Sequence, residues 1–243
     1  MSGSARTLAV IPARGGSKGL PGKNTKSFAG IPLIAHSILF SRMCSEITRC
    51  VVSTDAVEIA DSARAYGAEV PFVRPADLAQ DASPIFPVLR HALLFMEELE
   101  RNNYDYVALL DPTSPAREPN DMAGALSHLR NISEADGVVT VSEPDFNPIW
   151  HCVIEQDGWM KDLIPEGTKF TRRQAVPRVF RINGALYIWR SAFVRSASDS
   201  WRAGRHLTYE IPESRAMSID SLEEFQRAES LVRSGLIRLP WIS

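Results

Sequence analysis

Cysteine is scarce in this chain: 3 thiols in 243 residues, at positions 44, 50 and 152. They form no C-x-x-C pair, which excludes a zinc ribbon or a dithiol redox centre, and they read as small buried hydrophobes. Long apolar runs are also missing, since none approaches the roughly 18 residues that a membrane helix needs. No basic n-region with an apolar h-region precedes the first strand-like segment, so the expectation is a cytoplasmic protein with no membrane partner. Net charge is equally slight, at −2 from 27 basic and 29 acidic residues. Such a chain exerts no global pull on nucleic acid, so any local cluster of cations has to be read as a site. The 5 histidines show no H-E-x-x-H or triad-like spacing, and no G-x-S-x-G elbow is present, which removes the common hydrolase signatures.

The composition, 44% hydrophobic and 23% charged, belongs to an ordinary globular protein with a sizeable core. Strand-like runs at Leu8–Ile11, Cys50–Ser53, Val70–Val73, Tyr106–Leu110 and Gly137–Val141 alternate with helical patterns. The helices are expected across Leu33–Ser41, Val57–Tyr66 (stopped by Gly67), Ile85–Arg101 and Asn120–Leu129. That alternation predicts βαβ units and an α/β, mostly parallel sheet flanked by helices, with Arg14, Asp55, Arg74 and Asp111 all following strand ends at one edge. After Val141 the pattern breaks into scattered aromatics, prolines and glycines, with short antiparallel pieces at His151–Glu155 and Met160–Leu163. The chain then re-enters the core near Ala185–Trp189 and ends in an amphipathic helix over Leu222–Ser234.

The most informative stretch is Leu8-Ala-Val-Ile-Pro-Ala-Arg-Gly-Gly-Ser-Lys-Gly-Leu-Pro-Gly-Lys-Asn24. A short apolar strand runs into a basic turn whose glycines, Gly15, Gly16, Gly19 and Gly22, are expected to permit positive φ and aim N–H groups at an anion. Arg14, Lys18 and Lys23 add positive charge, so the turn reads as a triphosphate cradle. It is not a P-loop, because Ser17 stands where the first glycine belongs and Asn24 follows the lysine instead of Ser or Thr. Nor is it a dinucleotide turn, since its glycines are adjacent and the charge is too high.

These residues resemble the nucleotide-binding signature of the CMP-N-acetylneuraminic acid synthetases (acylneuraminate cytidylyltransferases). The resemblance continues in order through Ser53-Thr54-Asp55, Arg74-Pro75-Ala76-Asp77-Leu78-Ala79, Leu109-Leu110-Asp111-Pro112-Thr113-Ser114-Pro115, Arg172-Arg173-Gln174, Asn183-Gly184-Ala185 and Ile219-Asp220. It implies a Rossmann-like fold of the nucleotide-diphospho-sugar transferase type over residues 1–243. Residues 142–180 would form a dimerisation arm reaching the sugar site, and the working form would be a homodimer. The implied reaction joins CTP to a nonulosonic acid and releases pyrophosphate.

Carried over position by position, the resemblance places the nucleotide against Arg14, Gly15, Gly16, Ser17, Lys18, Lys23, Asn24 and Arg74, with Asp81 and Ser83 near the base or ribose. Arg14, Lys18, Lys23 and Asp220 are then the expected catalytic set, and Asp220 the expected ligand of Mg²⁺, which takes hard oxygen donors. The sugar acid would meet Asp111, Arg172, Arg173, Gln174, Asn183, Gly184 and Ala185, arginine forks suiting its carboxylate. Helix N-capping is the competing role for Asp55 and Asp220.

Two departures bear on chemistry. Ser218 replaces the first carboxylate of the family's Asp-x-Asp, which opens the number of metal ions. Asp111 replaces a glutamine, and an ionised aspartate only accepts hydrogen bonds where glutamine also donates. Legionaminic, pseudaminic, deaminated or Kdo acids are therefore alternative acceptors, and a non-catalytic nucleotide-sugar binding module is the rival from another class.

Overall fold

The computed structural model describes residues 5–197 and 200–242. Strand β1 (Thr7–Pro12) leads through a glycine-rich loop to a small hairpin, β2 (Ser27–Phe28) and β3 (Ile31–Pro32), and then to helix α1 (Leu33–Met43). Next come β4 (Arg49–Ser53), α2 (Val57–Ala65), α3 (Ile85–Glu100), β5 (Tyr106–Leu109), α4 (Pro119–Asn131) and β6 (Gly137–Ser142). An excursion carries α5 (Pro148–His151) and the ribbon β7 (Val153–Gln156) and β8 (Trp159–Asp162). The chain returns as β9 (Arg181–Arg190), α6 (Ser191–Ser196), β10 (His206–Glu210) and α7 (Leu222–Arg233).

Six strands form one sheet in the order β10-β6-β9-β5-β1-β4. β1 pairs in parallel with β4 and β5, and β6 with β10, while β9 runs antiparallel to both of its neighbours. The sheet is thus mostly parallel and flanked by helices, as the alternating pattern predicts. Leu8, Ala9, Val10 and Ile11 are all fully buried, the unbroken apolar run expected of a strand covered on both faces. Leu8 and Val10 pack with Phe86, Leu89 and Leu93 of α3, whereas Ala9 and Ile11 meet Ile34 and Ile38 of α1 and Leu126 of α4. Strand order reverses about β1, so β1 and β5 flank a switch point where ligands bind in such sheets.

Two expectations change. Val70–Val73 is not a strand: only Glu69 bridges to β4, through the 2.8 Å bond from Val52 N–H, and Pro71 then removes a ladder donor. β10 has no expected counterpart, because its mixed polar sequence His-Leu-Thr-Tyr-Glu carries a weak strand signal at a sheet edge.

Asn183 explains the irregularity between β6 and β9, whose register shifts between Val139 and Val141. Its Oδ1 accepts from the Thr140 hydroxyl (2.8 Å) and from Ala185 N–H (3.1 Å), and its Nδ2 donates to Ser142 Oγ (2.8 Å). The amide thereby satisfies a buried irregular backbone and throws Gly184 out at φ +75°.

The exit of the glycine-rich loop is pinned to α1 by bonds from Ile34 N–H to Asn24 O (2.9 Å) and Leu33 N–H to Lys26 O (3.0 Å). His36, buried on α1, extends the anchor: Nε2 lies 2.9 Å from Phe28 O and Nδ1 accepts from Trp241 Nε1 (3.0 Å). Nδ1 can accept only in the neutral ring, and burial accordingly holds the His36 pKa down at about 4. The unfolded chain takes a proton near 6.5, so this contribution is present above that pH and is lost as pH falls towards 4. Between those limits the wild type should lose about 3 kcal/mol more unfolding free energy than His36→Gln, by urea denaturation. An equal loss in both proteins would show that His36 does not carry the effect.

Candidate active site

The loops after β1 and β5, the stretch from Arg74 into α3 and the segment before α7 enclose a cleft of about 320 Å³. Its wall includes Arg14, Ser17, Lys23, Asn24, Arg74, Asp81, Ser83, Asp111, Gly184 and Asp220. The structure therefore gathers most of the residues expected from sequence.

The loop after β1 is shaped differently from the expectation. Of its four glycines only Gly22 has positive φ, at +66°. Gly15 gives its N–H to Asp55 Oδ1 (3.0 Å), so that donor is spent within the chain, and Asp55 braces the loop instead of capping α2. Gly19 serves close approach, because a Cβ there would lie 2.3 Å from the carbonyl oxygen of Asp220. The side chains carry the charge: Arg14 and Lys18 both pair with Asp81, and Lys23 Nζ donates to Asp220 Oδ1 at 2.7 Å. Asn24 is buried and ties the loop's two ends by donating to Arg14 O (3.3 Å). Gly16 flanks a second opening beside Lys18.

Arg74 is buried at the floor, its Nε donating to Ser53 Oγ (3.0 Å) and its Nη2 to Ser53 O. Burial lowers its pKa to about 10, which still leaves a full, immobilised cation at neutral pH. Ser83 lines the cleft, but its hydroxyl donates to Asp77 O (2.9 Å) and accepts from Gln80 N–H (3.1 Å), bracing its own loop.

Asp220 is not a helix cap. The cap of α7 is Ser221, in a reciprocal box with Glu224, which also takes the Asp220 N–H at 2.9 Å. The Asp220 side chain instead faces Lys23 and accepts from Ser218 Oγ (2.9 Å). Partial burial pushes its carboxyl up, but these two bonds outweigh that and hold it below the usual range. Among the described residues no group of three or more His, Cys, Asp or Glu could hold a metal alone. A hard dication bound by one carboxylate and completed by phosphate oxygens and water does fit a cleft with Asp220 at its wall and cations around it.

On the other wall, Asp111 Oδ1 accepts from Thr113 N–H (3.0 Å) and from the Thr113 hydroxyl (2.9 Å). One oxygen is therefore already committed to the turn. Arg117, which the sequence reading passed over, is 1% exposed and donates to the carbonyls of Ser114 and Asp111 and to Ser37 Oγ. Burial lowers its pKa to about 10. Nothing in the sequence marks an arginine as buried, since the residue type is usually exposed.

The remaining expected sugar contacts divide. Gly184 lines the cleft, and Asn183 and Ala185 are buried behind it. Arg172 and Gln174 are exposed on the excursion and are not among the residues lining this chain's cleft, while the side chain of Arg173 lies outside the described residues. Of the nearby arginines, Arg178 pairs with Glu143 (2.7 Å) and Glu210 (2.6 Å), and Arg181 with Glu213 (2.7 Å), fastening the base of the excursion to the sheet.

Comparison with known proteins agrees with this geometry. A cytidylyltransferase family model matches residues 8–147, which hold the whole glycine-rich loop and the Asp111 turn. The CMP-N,N'-diacetyllegionaminic acid synthase of Legionella pneumophila is 39% identical over 187 residues, covering 75% of this chain and 77% of that protein. The post-translational flagellin modification protein B of Campylobacter coli is 34% identical over 226 residues, covering 93% and 94%. Among solved structures, a CMP:2-keto-3-deoxy-manno-octonic acid synthetase complexed with CTP superimposes with a TM-score of 0.71 at 17% identity, over 95% of this chain and 100% of that one. Fold, cleft and sequence thus lead to one assignment: the chain is a member of the cytidylyltransferase family, among the enzymes that transfer CMP to sialic-type sugar acids.

Proposed function

We propose that this enzyme joins CTP to a nonulosonic acid by direct attack of the acid's anomeric hydroxyl on the α-phosphorus, releasing pyrophosphate. The observation that carries the reading is the single cleft in which Arg14, Lys23 and Arg74 face Asp220 on one side and Asp111 on the other. Arg74, fixed at the floor, is suited to hold the nucleotide's pyrimidine end. Arg14 and Lys23 neutralise the phosphates, which lowers the cost of gathering charge around the reacting phosphorus. Asp111 and Gly184 bound the space left for the acceptor, and holding both substrates there supplies proximity and alignment. Magnesium, when bound, neutralises phosphate oxygens at the reacting centre, and Asp220 would hold it.

The acceptor follows from Asp111 and the relatives together. The Legionella pneumophila relative is named for a diacetylated legionaminic acid, so that class comes before N-acetylneuraminate in the order of expectation. Pyrophosphate release from CTP across N-acetylneuraminic, deaminated, legionaminic, pseudaminic and Kdo acids should show one preferred acid. CTP binding with no turnover on any acid would favour the binding-module alternative. Asp220→Asn should lower magnesium-dependent turnover by about a hundredfold while leaving the fold intact by circular dichroism. Unchanged activity would remove Asp220 from the metal site.

The homodimer rests on the excursion. Val153, Ile154, Trp159, Met160 and Leu163 are all between 44% and 75% exposed on a two-stranded ribbon, which is marginal in water without a partner. A second copy would cover this surface and could bring Arg172 and Gln174 to its neighbour's cleft. Light scattering should give a dimer for the wild type and a monomer for Trp159→Glu/Met160→Glu; a wild-type monomer at micromolar concentration would sink the reading. No helix among the described residues is long and apolar enough to cross a membrane, and the nucleotide triphosphate substrate supports a cytoplasmic setting.

A further inference from the structure

Asp81 occupies the place in the cradle where an anion belongs. Its loop is braced from within: besides the Ser83 bonds, Gln80 Nε2 donates to Ala76 O at 2.8 Å and Ser83 N–H to Gln80 O at 3.1 Å. That bracing presents Asp81 at the loop tip, where one carboxylate oxygen meets Arg14 Nη1 and the other Lys18 Nζ. The resulting bridge joins two segments more than 60 residues apart and separates the main cleft from the second opening, of about 490 Å³, lined by Arg14, Gly16, Lys18 and Ala79–Ala82. Both cations that the loop offers to a phosphate on this side are already neutralised. The two pairs are solvent-exposed, with Lys18 at 82%, so each is individually weak and exchangeable.

We propose that Asp81 is a resident competitor for the phosphate cradle, displaced by the nucleotide's triphosphate and returning to Arg14 and Lys18 as pyrophosphate leaves. It therefore sets the selectivity and release of polyphosphate anions and is not itself a nucleotide ligand. This deepens the cytidylyltransferase reading above and rests on it. An anion that contacts Arg14 and Lys18 must break both pairs, so only a ligand with further contacts, such as those a nucleotide finds at Lys23 and Arg74, gains net affinity. Bare pyrophosphate, lacking a base and sugar, is held off. Binding to Arg14 and Lys18 is an ion exchange in the wild type, whereas removal of the carboxylate would turn it into simple charge pairing.

The test is calorimetric titration of the full-length protein with inorganic pyrophosphate and, separately, with CTP, both in EDTA and without acceptor. Asp81→Asn keeps the shape and removes the charge. It should tighten pyrophosphate by about tenfold and also tighten CTP, with a steeper salt dependence, and Asp81→Glu should restore wild-type values. In turnover the same Asp81→Asn variant should show stronger product inhibition by pyrophosphate, with a lower KM for CTP and a lower kcat. Weaker CTP binding in Asp81→Asn would overturn the proposal and make Asp81 a nucleotide ligand or a tether for its loop. Unchanged affinity for both ligands would equally overturn it. A wild type that ignores CTP even when the titration is repeated with magnesium, while Asp81→Asn gains pyrophosphate, would sink the cytidylyl reading and leave the competitor role standing.

Discussion

The site depends on one close approach between distant parts of the chain. Gly19, in the loop after β1, lies against the backbone of Asp220 with no room for a Cβ, and Lys23 reaches across to the Asp220 carboxylate. Ile219 N–H meanwhile donates to Thr113 O at 3.0 Å, so the same three-residue segment is stitched to the Asp111 turn. Ile219 itself is fully buried beside Leu20, Phe28 and Phe225, which turns the packing of α7 into the force that holds the stitch closed. A methyl group at Gly19 would force the loop and segment apart and move Lys23, Asp220 and Thr113 together. The cleft is in this sense a product of α7 packing as much as of the sheet edge.

Much of this was legible in the sequence because the signals were local. The apolar run of β1, the periodicity of the helices, and the basic glycine-rich turn are all features of neighbouring residues. What escaped was decided by distant partners. Asp55 reads as a helix cap until Gly15 N–H arrives from 40 residues away. No motif marks Arg117, yet it is buried as a clamp on the carbonyls of Asp111 and Ser114. Asn183 reads as a sugar contact, whereas its three bonds are consumed by the irregular pairing of β6 and β9. Val70–Val73 has strand composition but meets Pro71 and the sheet edge at once. The glycines mislead in a similar way, since φ and steric room depend on what packs against them.

Electrostatics explains how a chain of nearly neutral net charge can offer cations to a polyphosphate from a cleft whose lining sets Arg14, Lys23 and Arg74 against Asp81, Asp111 and Asp220. The cations in and around the cleft have two kinds of environment. Arg74 and Arg117 are buried and fixed by backbone carbonyls and hydroxyls, so their charge is preorganised and carries no mobile counter-anion. Arg14, Lys18 and Lys23 are each matched with a carboxylate in the protein alone. The first pair of residues supplies permanent field, and the remaining three supply charge that substrate binding can redirect. A cleft made wholly of the first kind would retain every anion it met, because fixed unpaired cations bind a product as well as a substrate.

The two departures from the family pattern fall on opposite walls of the cleft, which separates their consequences. Ser218 lies on the Asp220 side, and its hydroxyl donates to Asp220, so it orients that carboxylate and adds no negative charge of its own. With one carboxylate in place of two, a dication held as proposed would draw more of its coordination from phosphate oxygens and water, and its affinity would then be coupled to nucleotide binding. Asp111 lies on the opposite wall, where one oxygen is locked by Thr113 and the backbone carbonyl by Arg117. A glutamine there could present a donor to the acceptor, while this aspartate presents only acceptor capacity and a negative charge. In the proposed reaction, a sugar acid that brings donors to this wall, such as hydroxyl or N-acylamino groups, would be favoured over one that brings its carboxylate.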